Sequence, residues 1–263
     1  MTTTDSEVLV EWSVQDHIAT VALNRPKVLN AITTDLLLRL IDVFDELSDD
    51  SSVWCVILKG NGRAFCVGAD QKERPGMSLD DVRRRRRIAP RAFSAMRNCV
   101  HPVIAQVHGH ALGGGLELAL GCDLVVAAID TSMGFVETKV GAIPGGGATQ
   151  LLPRLIGPTR AKELIFTGRK FVAQDAVAWG LINYVVPSLQ LESSVRGLAE
   201  EIAAAAPVAV AQAKSALNFA LDLDVMSGMK VEAALYERIM HTRDRNEALN
   251  AYKDNRKAIF NGD

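Results

Sequence analysis

Apolar residues in this chain come first in short alternating or continuous runs and then at helical spacing. Val8–Ser13 and His17–Leu23 read as the strands of a hairpin separated by Val14, Gln15 and Asp16, and Asn24-Arg25-Pro26 ends the second strand. Thr33, Thr34 and Asp35 offer N-cap oxygens to a helix whose apolar stripe is Leu36, Leu37, Leu40, Ile41, Phe44 and Leu47. Val53–Leu58 is almost wholly apolar, which predicts a strand covered on both faces. Pro75–Val100 returns to a helical pattern, His101–Val107 reads as a short strand, and Gly113-Gly114-Gly115 opens a mostly apolar helix. Pro158–Phe166 and Ala173–Ala178 predict short helices, with Val185-Val186-Pro187 extended. From about Leu191 the pattern is helical throughout: an alanine-rich segment to Ala206, a fresh start at Pro207, then Val225–Met240 and Arg245–Lys257. Strands interspersed with helices, followed by an all-helical end, predict an α/β core over residues 1–190. Residues 191–263 form a helical region of the kind that packs across a neighbouring subunit.

Composition narrows the class. A chain of 263 residues, 48% hydrophobic and 23% charged, has ample material for a globular core. A net charge of −2 gives no general attraction to polyanions, so an anionic ligand has to be held by local cations. Cys55, Cys66, Cys99 and Cys122 lie in apolar segments without C-x-x-C spacing, which predicts buried reduced thiols and no metal site. MTTTDSE lacks the features of a leader and no stretch approaches eighteen apolar residues; a cytoplasmic protein with no membrane contact is expected. GNGRAF departs from G-x-G-x-x-G at Phe65, which argues against a dinucleotide loop. The run Arg83–Arg87 reads as a solvated helix face, with docking of an acidic ligand or of nucleic acid as alternatives. No interleaved aromatic series supplies base stacking, so nucleic acid is not an expected partner.

Candidate chemistry is concentrated in residues 107–149. A helix entered through glycines exposes its first N–H groups, a seat for an oxygen gathering negative charge. Taken singly, Gly113–Gly115 fits a tight turn and Glu117 fits ordinary decoration of a helix start. Taken together they fit a site, because Glu117 is flanked by Leu116 and Leu118 and a carboxylate in apolar surroundings needs a partner. Glu137 follows twenty residues later. Main-chain donors aimed at one oxygen, with carboxyl groups beside them, suit proton traffic next to a thioester carbonyl. H-E-x-x-H, G-x-S-x-G and the phosphate-binding G-x-x-x-x-G-K-[ST] are all missing from the sequence.

The strings NRPKVLNAI, GRAFCVGAD, HGHALGGGLELALGCD and VETKVGAIPGGGATQLLPRLIG, in this order and spacing, resemble the crotonase (enoyl-CoA hydratase/isomerase) superfamily across essentially the whole chain. GADQKERPGMS, ALGGGLELAL and FVETKVGAIPGGG look most like its methylglutaconyl-CoA hydratase branch. The resemblance implies a crotonase-like α/β superhelix of stacked ββα units, a C-terminal helical trimerisation region, and a homotrimer or a hexamer built as a dimer of trimers. It places oxyanion-hole amides on Ala69 and Gly114 and the hydratase glutamates on Glu117 and Glu137; the presence of both acids points to water addition. Contacts to an acyl-CoA thioester fall on Lys27, Val28, Ala64, Asp70, Gln71 and Lys72, and Tyr252, with Arg256 and Lys257 near it, occupies the place where relatives set an aromatic against a neighbour's adenine. Asn255 stands where a lysine is common, and Val67, Gln71 and Val136 also depart from the usual pattern. No cofactor is implied, coenzyme A being part of the substrate. The reaction implied is hydration of a 2-enoyl-CoA, with isomerisation or other enolate chemistry as the alternative enzyme reading. A noncatalytic acyl-CoA binder and an RNA-binding protein are further alternatives; against the last, the first long helix carries Asp42, Asp45 and Glu46 but only Arg39 as a cation. One of Arg83–Arg87 would meet an acidic acyl group if that helix folds inward. His108 and His110 read as packed turn residues, and Asp70 and Asp123 as acceptors for local backbone donors.

Overall fold

The computed structural model describes residues 8–263, apart from the side chain of Arg74; the opening MTTTDSE lies outside the described residues. Strands β1 (Val10–Gln15) and β2 (Ile18–Leu23) pair antiparallel with Gln15 opposite Ile18. The turn is therefore Asp16-His17, one step beyond the expected Val14–Asp16, and β1 starts later than the expected Val8. Both turn residues have positive φ, 51° and 64°, the geometry whose twist matches a two-residue hairpin. A 3-10 turn at Pro26–Val28 leads to α1 (Thr34–Asp49), where Thr33 accepts the N–H of Leu36 and the expected stripe, joined by Val43, is buried. Next come β3 (Cys55–Gly60) and α2 (Leu79–Asn98); Ser78 and Asp81 cap α2 reciprocally, and Pro90 sits inside it.

The chain then passes back and forth between two sheets. It runs through β4 (Val103–Val107), β5 (His110–Leu112), α3 (Gly114–Leu120), β6 (Leu124–Ala128) and β7 (Ser132–Gly134). After a 3-10 turn at Glu137–Val140 come α4 (Ala148–Ile156), α5 (Pro158–Thr167), β8 (Lys170–Val172), α6 (Ala173–Ala178) and β9 (Tyr184–Val186). The larger sheet has the order β1-β2-β3-β4-β6-β9 and is parallel beyond its first pair; the smaller is β5-β7-β8. Because β4 and β6 go to the larger sheet and β5 and β7 to the smaller, each strand–strand–helix repeat adds one rung to both. This is the expected superhelix of ββα units. The loop after β3 docks on the smaller sheet through a bridge from Cys66 to Ala111, and Ala69 bridges to Ile32.

Alternation along β3 decides what lies on either face of the larger sheet. Val56 and Leu58 join the main core with α1, α2 and α3, whereas Cys55 and Ile57 face a second cluster containing Leu191, Val195 and Ala199. Those three residues belong to α7 (Leu191–Ala203), the first helix past residue 190, so one covering layer of the sheet comes from the helical region. Then follow α8 (Pro207–Phe219), α9 (Val225–Ile239) and α10 (Arg243–Lys253). The last helix stops short of the expected Lys257: Asn255 takes φ 52° and Arg256 folds back onto Glu247 at 2.6 Å and 2.9 Å. Among the described residues no helix is long and apolar enough to cross a membrane.

Candidate active site

The smaller sheet explains how glutamates twenty residues apart come to share a cavity. Pairing of Leu112 with Gly134, and the bond from Gly113 N–H to the Gly134 carbonyl at 2.7 Å, lay the chain approaching Glu137 alongside the entrance to α3. A β-carbon added to Gly113 would stand 2.9 Å from Oε1 of Glu137, so this carboxylate lies directly over the turn. Gly113 itself has φ 53°, a conformation that favours glycine.

Two main-chain donors open into the same cavity. The carbonyl of Gly68 accepts from Ile32 N–H at 2.8 Å. In a trans peptide the C=O and the following N–H point opposite ways, so the N–H of Ala69 is directed away from Ile32. Gly114 is the first residue of α3, and its N–H has no intrahelical acceptor. Neither N–H makes a hydrogen bond among the described residues. The loops carrying them touch: a β-carbon on Gly68, whose φ is 84°, would lie 3.2 Å from the Gly114 nitrogen and 2.6 Å from the Leu112 carbonyl oxygen.

Glu117, one turn into α3, is only 4% exposed. Its Oε1 accepts from the N–H groups of Gly146 at 2.8 Å and Ala148 at 3.0 Å, and its Oε2 accepts from Gly145 at 3.3 Å. Burial pushes its carboxyl above the usual range, while those amides and the charge of Arg86 pull the other way. Ala69, Gly114, Glu117 and Glu137 line one cavity of about 130 Å³, walled by Ile32, Val67, Phe93, Val136 and Ile143 among others. Residues 13–263 match the family model described as enoyl-CoA hydratase/isomerase.

The chain belongs to that family. Its similarity to the Bacillus subtilis enoyl-CoA hydratase/isomerase YngF is 42% identity over 94% of this chain and 95% of that protein. Mitochondrial methylglutaconyl-CoA hydratase of Mus musculus is 39% identical over 99% of this chain and 85% of its own length. A crystal structure of enoyl-CoA hydratase from Bacillus anthracis superposes with a TM-score of 0.94 at 40% identity, covering 97% of this chain and all of that one.

In this member of the hydratase/isomerase family, the remaining anticipated residues divide by location. Gln71 lines the cavity with Ala69. Lys27, exposed, and Val28, half-buried, sit on the 3-10 turn whose Pro26 packs against Gly62, so they adjoin the loop that carries Ala69. Ala64 is fully buried with its carbonyl accepting from Asn30 at 2.8 Å, and Lys72 is exposed. The carboxylate of Asp70 is committed to the protein, accepting from Arg25 at 3.0 Å and from Lys72 N–H at 3.0 Å, so it holds the loop and does not face the cavity. Tyr252, 89% exposed on α10, does not line the cavity of its own chain. His108 donates its Nε2–H to the Gly62 carbonyl at 2.9 Å, His110 is exposed, and neither lines the cavity. Asp123 takes Val103 N–H at 2.7 Å and, additionally, the ammonium of Lys214 at 2.7 Å. The four cysteines are free and buried.

The arginine run is not one uniformly solvated face. Arg83, Arg84, Arg86 and Arg87 are exposed, as expected of a solvated face, but Arg85 is half-buried, tied to Glu73 at 3.2 Å and to the Ile32 carbonyl at 2.9 Å, and both Arg85 and Arg86 border the cavity. Arg86 lies over Gly145, its Nη1 3.1 Å from where a β-carbon would be. It makes no ion pair or hydrogen bond among the described residues. Reading the sequence also missed the clamp on Glu117. Its signal was the glycine triplet at residues 145–147, where a backbone can approach a carboxylate without side chains intervening. Among the described residues no group of three or more His, Cys, Asp or Glu side chains is placed to hold a metal ion.

Proposed function

We propose that this chain adds water across the 2,3 double bond of a 2-enoyl-CoA thioester. The observation that carries the reading is one cavity lined by two carboxyl groups and two outward-facing amide donors. The N–H groups of Ala69 and Gly114 hold the thioester oxygen as it gains charge, each such donor contributing on the order of a hundredfold or more in rate. Glu117, whose amide clamp favours the ionised form, takes a proton from water as the oxygen attacks C3. Glu137, or a proton shared within the glutamate pair, delivers hydrogen to C2. Water is thereby divided between the two carbons, and transfer of the proton from Glu117 back to Glu137 restores both carboxyl groups. Lys27 and Lys72 supply cations along the coenzyme A path, with Val28, Ala64 and Gln71 shaping it. Exposed apolar residues on the helical region, among them Leu217, Val225 and Met226, support assembly into trimers or hexamers. In that assembly Tyr252 meets a neighbour's substrate.

Loss of the conjugated enoyl absorbance of crotonyl-CoA, with 3-hydroxyacyl-CoA as product, tests the reading. Glu117→Gln and Glu137→Gln are each expected to lower turnover by roughly 10²- to 10⁴-fold while acyl-CoA binding persists. Near-normal turnover in either variant refutes the assignment, and a shifted double bond without added water identifies an isomerase. Arg86 favours a finer reading: a guanidinium beside an apolar cavity suits an acyl group ending in a carboxylate, as in the substrate named for the mouse relative. Arg86→Gln is expected to lower kcat/KM for a carboxylated enoyl-CoA about tenfold or more beyond any loss on crotonyl-CoA; equal losses on both substrates discard that specificity.

A further inference from the structure

The Ala69 amide has no side-chain chemistry of its own to aim it. Its orientation depends on Gly68, a residue with φ 84° whose peptide can rotate unless held. Two groups hold it: Ile32 N–H bonds the Gly68 carbonyl at 2.8 Å, and the thiol of Cys66 seats the preceding peptide through the Gly68 N–H. The Cys66 S–H donates to the carbonyl of Asn30 at 3.1 Å, and its sulfur accepts the N–H of Gly68 at 3.4 Å. Burial pushes this thiol up to about 12, so it remains a donor through the neutral range.

Asn30 is a rigid anchor for that thiol. It is fully buried, and its Nδ2 donates to the carbonyls of Asn61 at 3.0 Å, Ala64 at 2.8 Å and Phe65 at 3.1 Å. Its Oδ1 accepts from Arg25 N–H at 2.8 Å. The backbone of Cys66 meets the other half of the amide pair. Its N–H donates to the His110 carbonyl at 3.0 Å and its carbonyl accepts from Leu112 N–H at 3.0 Å. Gly115 packs so closely on it that a β-carbon there would fall 2.1 Å from the Cys66 oxygen. One residue is thus joined to the chain leading into Ala69 and to the chain leading into Gly114.

We propose that Cys66, anchored by Asn30, is the positioning residue that fixes the spacing and aim of the Ala69 and Gly114 amides. This rests on the reading of those amides as donors to the thioester oxygen. Cys66→Ala removes both sulfur hydrogen bonds, leaving Gly68 held only on its Ile32 side. Cys66→Val removes the same bonds while filling the volume, and serves if the alanine variant does not fold. Cys66→Ser restores a donor and an acceptor.

The discriminating probe is 4-(dimethylamino)cinnamoyl-CoA, whose absorption moves to the red when its thioester carbonyl is polarised. The unaltered protein is expected to produce a red shift. Cys66→Ala or Cys66→Val should shrink it and lower kcat about tenfold with KM within about twofold, because a donor displaced by a fraction of an ångström loses part of its worth. Cys66→Ser should recover most of both. A full red shift and unchanged kcat in the folded Ala or Val variant overturns the role of Cys66. Absence of any red shift in the unaltered protein overturns the donor reading itself, and this inference with it.

Discussion

Replacing Gly146 with alanine probes the amide clamp on Glu117 without touching a reacting group. The new methyl would stand 2.3–2.6 Å from three ring carbons of Phe93, about 1 Å or more inside ordinary carbon–carbon contact. Phe93 is 6% exposed, so the ring cannot swing into solvent, and the 145–148 backbone has to withdraw. The bonds at risk are those from Gly146 at 2.8 Å and Ala148 at 3.0 Å to one carboxylate oxygen, and a withdrawal of about 1 Å takes them out of hydrogen-bond range. Overpacking of this kind costs about 1–3 kcal/mol, which for a chain of this length lowers Tm by roughly 2–6 °C. Catalysis should suffer more: a general base displaced by about 1 Å loses on the order of 10² in kcat/KM. The pH profile carries the sign. Burial already holds the Glu117 carboxyl above its usual range, and loss of donors that favour the carboxylate raises it further. Activity needs the ionised base, so its acidic limb moves to higher pH. Crotonyl-CoA hydration measured across pH, alongside a thermal melt, checks both parts. Unchanged turnover with an unmoved acidic limb refutes the argument that the main-chain clamp sets the state of Glu117.

Other outcomes follow from the ionisable groups away from the cavity. Lys214→Met strands the carboxylate of Asp123, whose side chain is 21% exposed; the expected loss is about 3 kcal/mol, the lower end for a broken buried pair, or roughly 6 °C in Tm. Burial already raises the Asp123 carboxyl and Lys214 opposes that rise. The variant's raised pKa therefore favours folding below the folded-state value, and that advantage is lost as pH rises through it. Melts should show a larger deficit at pH 8 than at pH 5, and a deficit that grows on acidification would contradict the pairing. Burial pushes Cys55 and Cys66 to about 12 and raises Cys99 and Cys122 as well. An aromatic disulfide reagent at pH 8 should therefore titrate all four thiols only after denaturant is added, and rapid reaction of any one in the folded protein would show it to be accessible.

Much of the architecture was legible because its hydrophobic spacing was strong. The stripe from Leu36 to Leu47 and the run around Val56 and Leu58 predicted α1 and β3 to within a few residues, and both bury the expected side chains. Boundaries failed where backbone geometry rather than composition decides. The turn at Asp16-His17 depends on two positive φ angles, and the end of α10 depends on Arg256 returning to Glu247. The site was legible only in pieces. Glu117 between leucines signalled a partnered carboxylate, but its partners are main-chain amides in residues 145–148, invisible to any reading of side-chain types. The meeting of Glu117 with Glu137 depends on pairing between short strands, three residues each, that carry little periodicity. The arginine run illustrates the same limit: charge spacing does not say which two of five guanidinium groups a helix will turn toward a cavity.

The clamp on Glu117 is made entirely of peptide nitrogens, and this changes how it can be dissected. Alanine scanning deletes no peptide nitrogen, so it can disturb these donors only by displacing the backbone, as Gly146→Ala does, and it mixes steric damage with the electrostatics. Backbone ester replacement at residues 145, 146 and 148, made by semisynthesis, exchanges each NH for an oxygen while preserving side-chain identity. The resulting series would grade the field at the carboxylate one atom at a time.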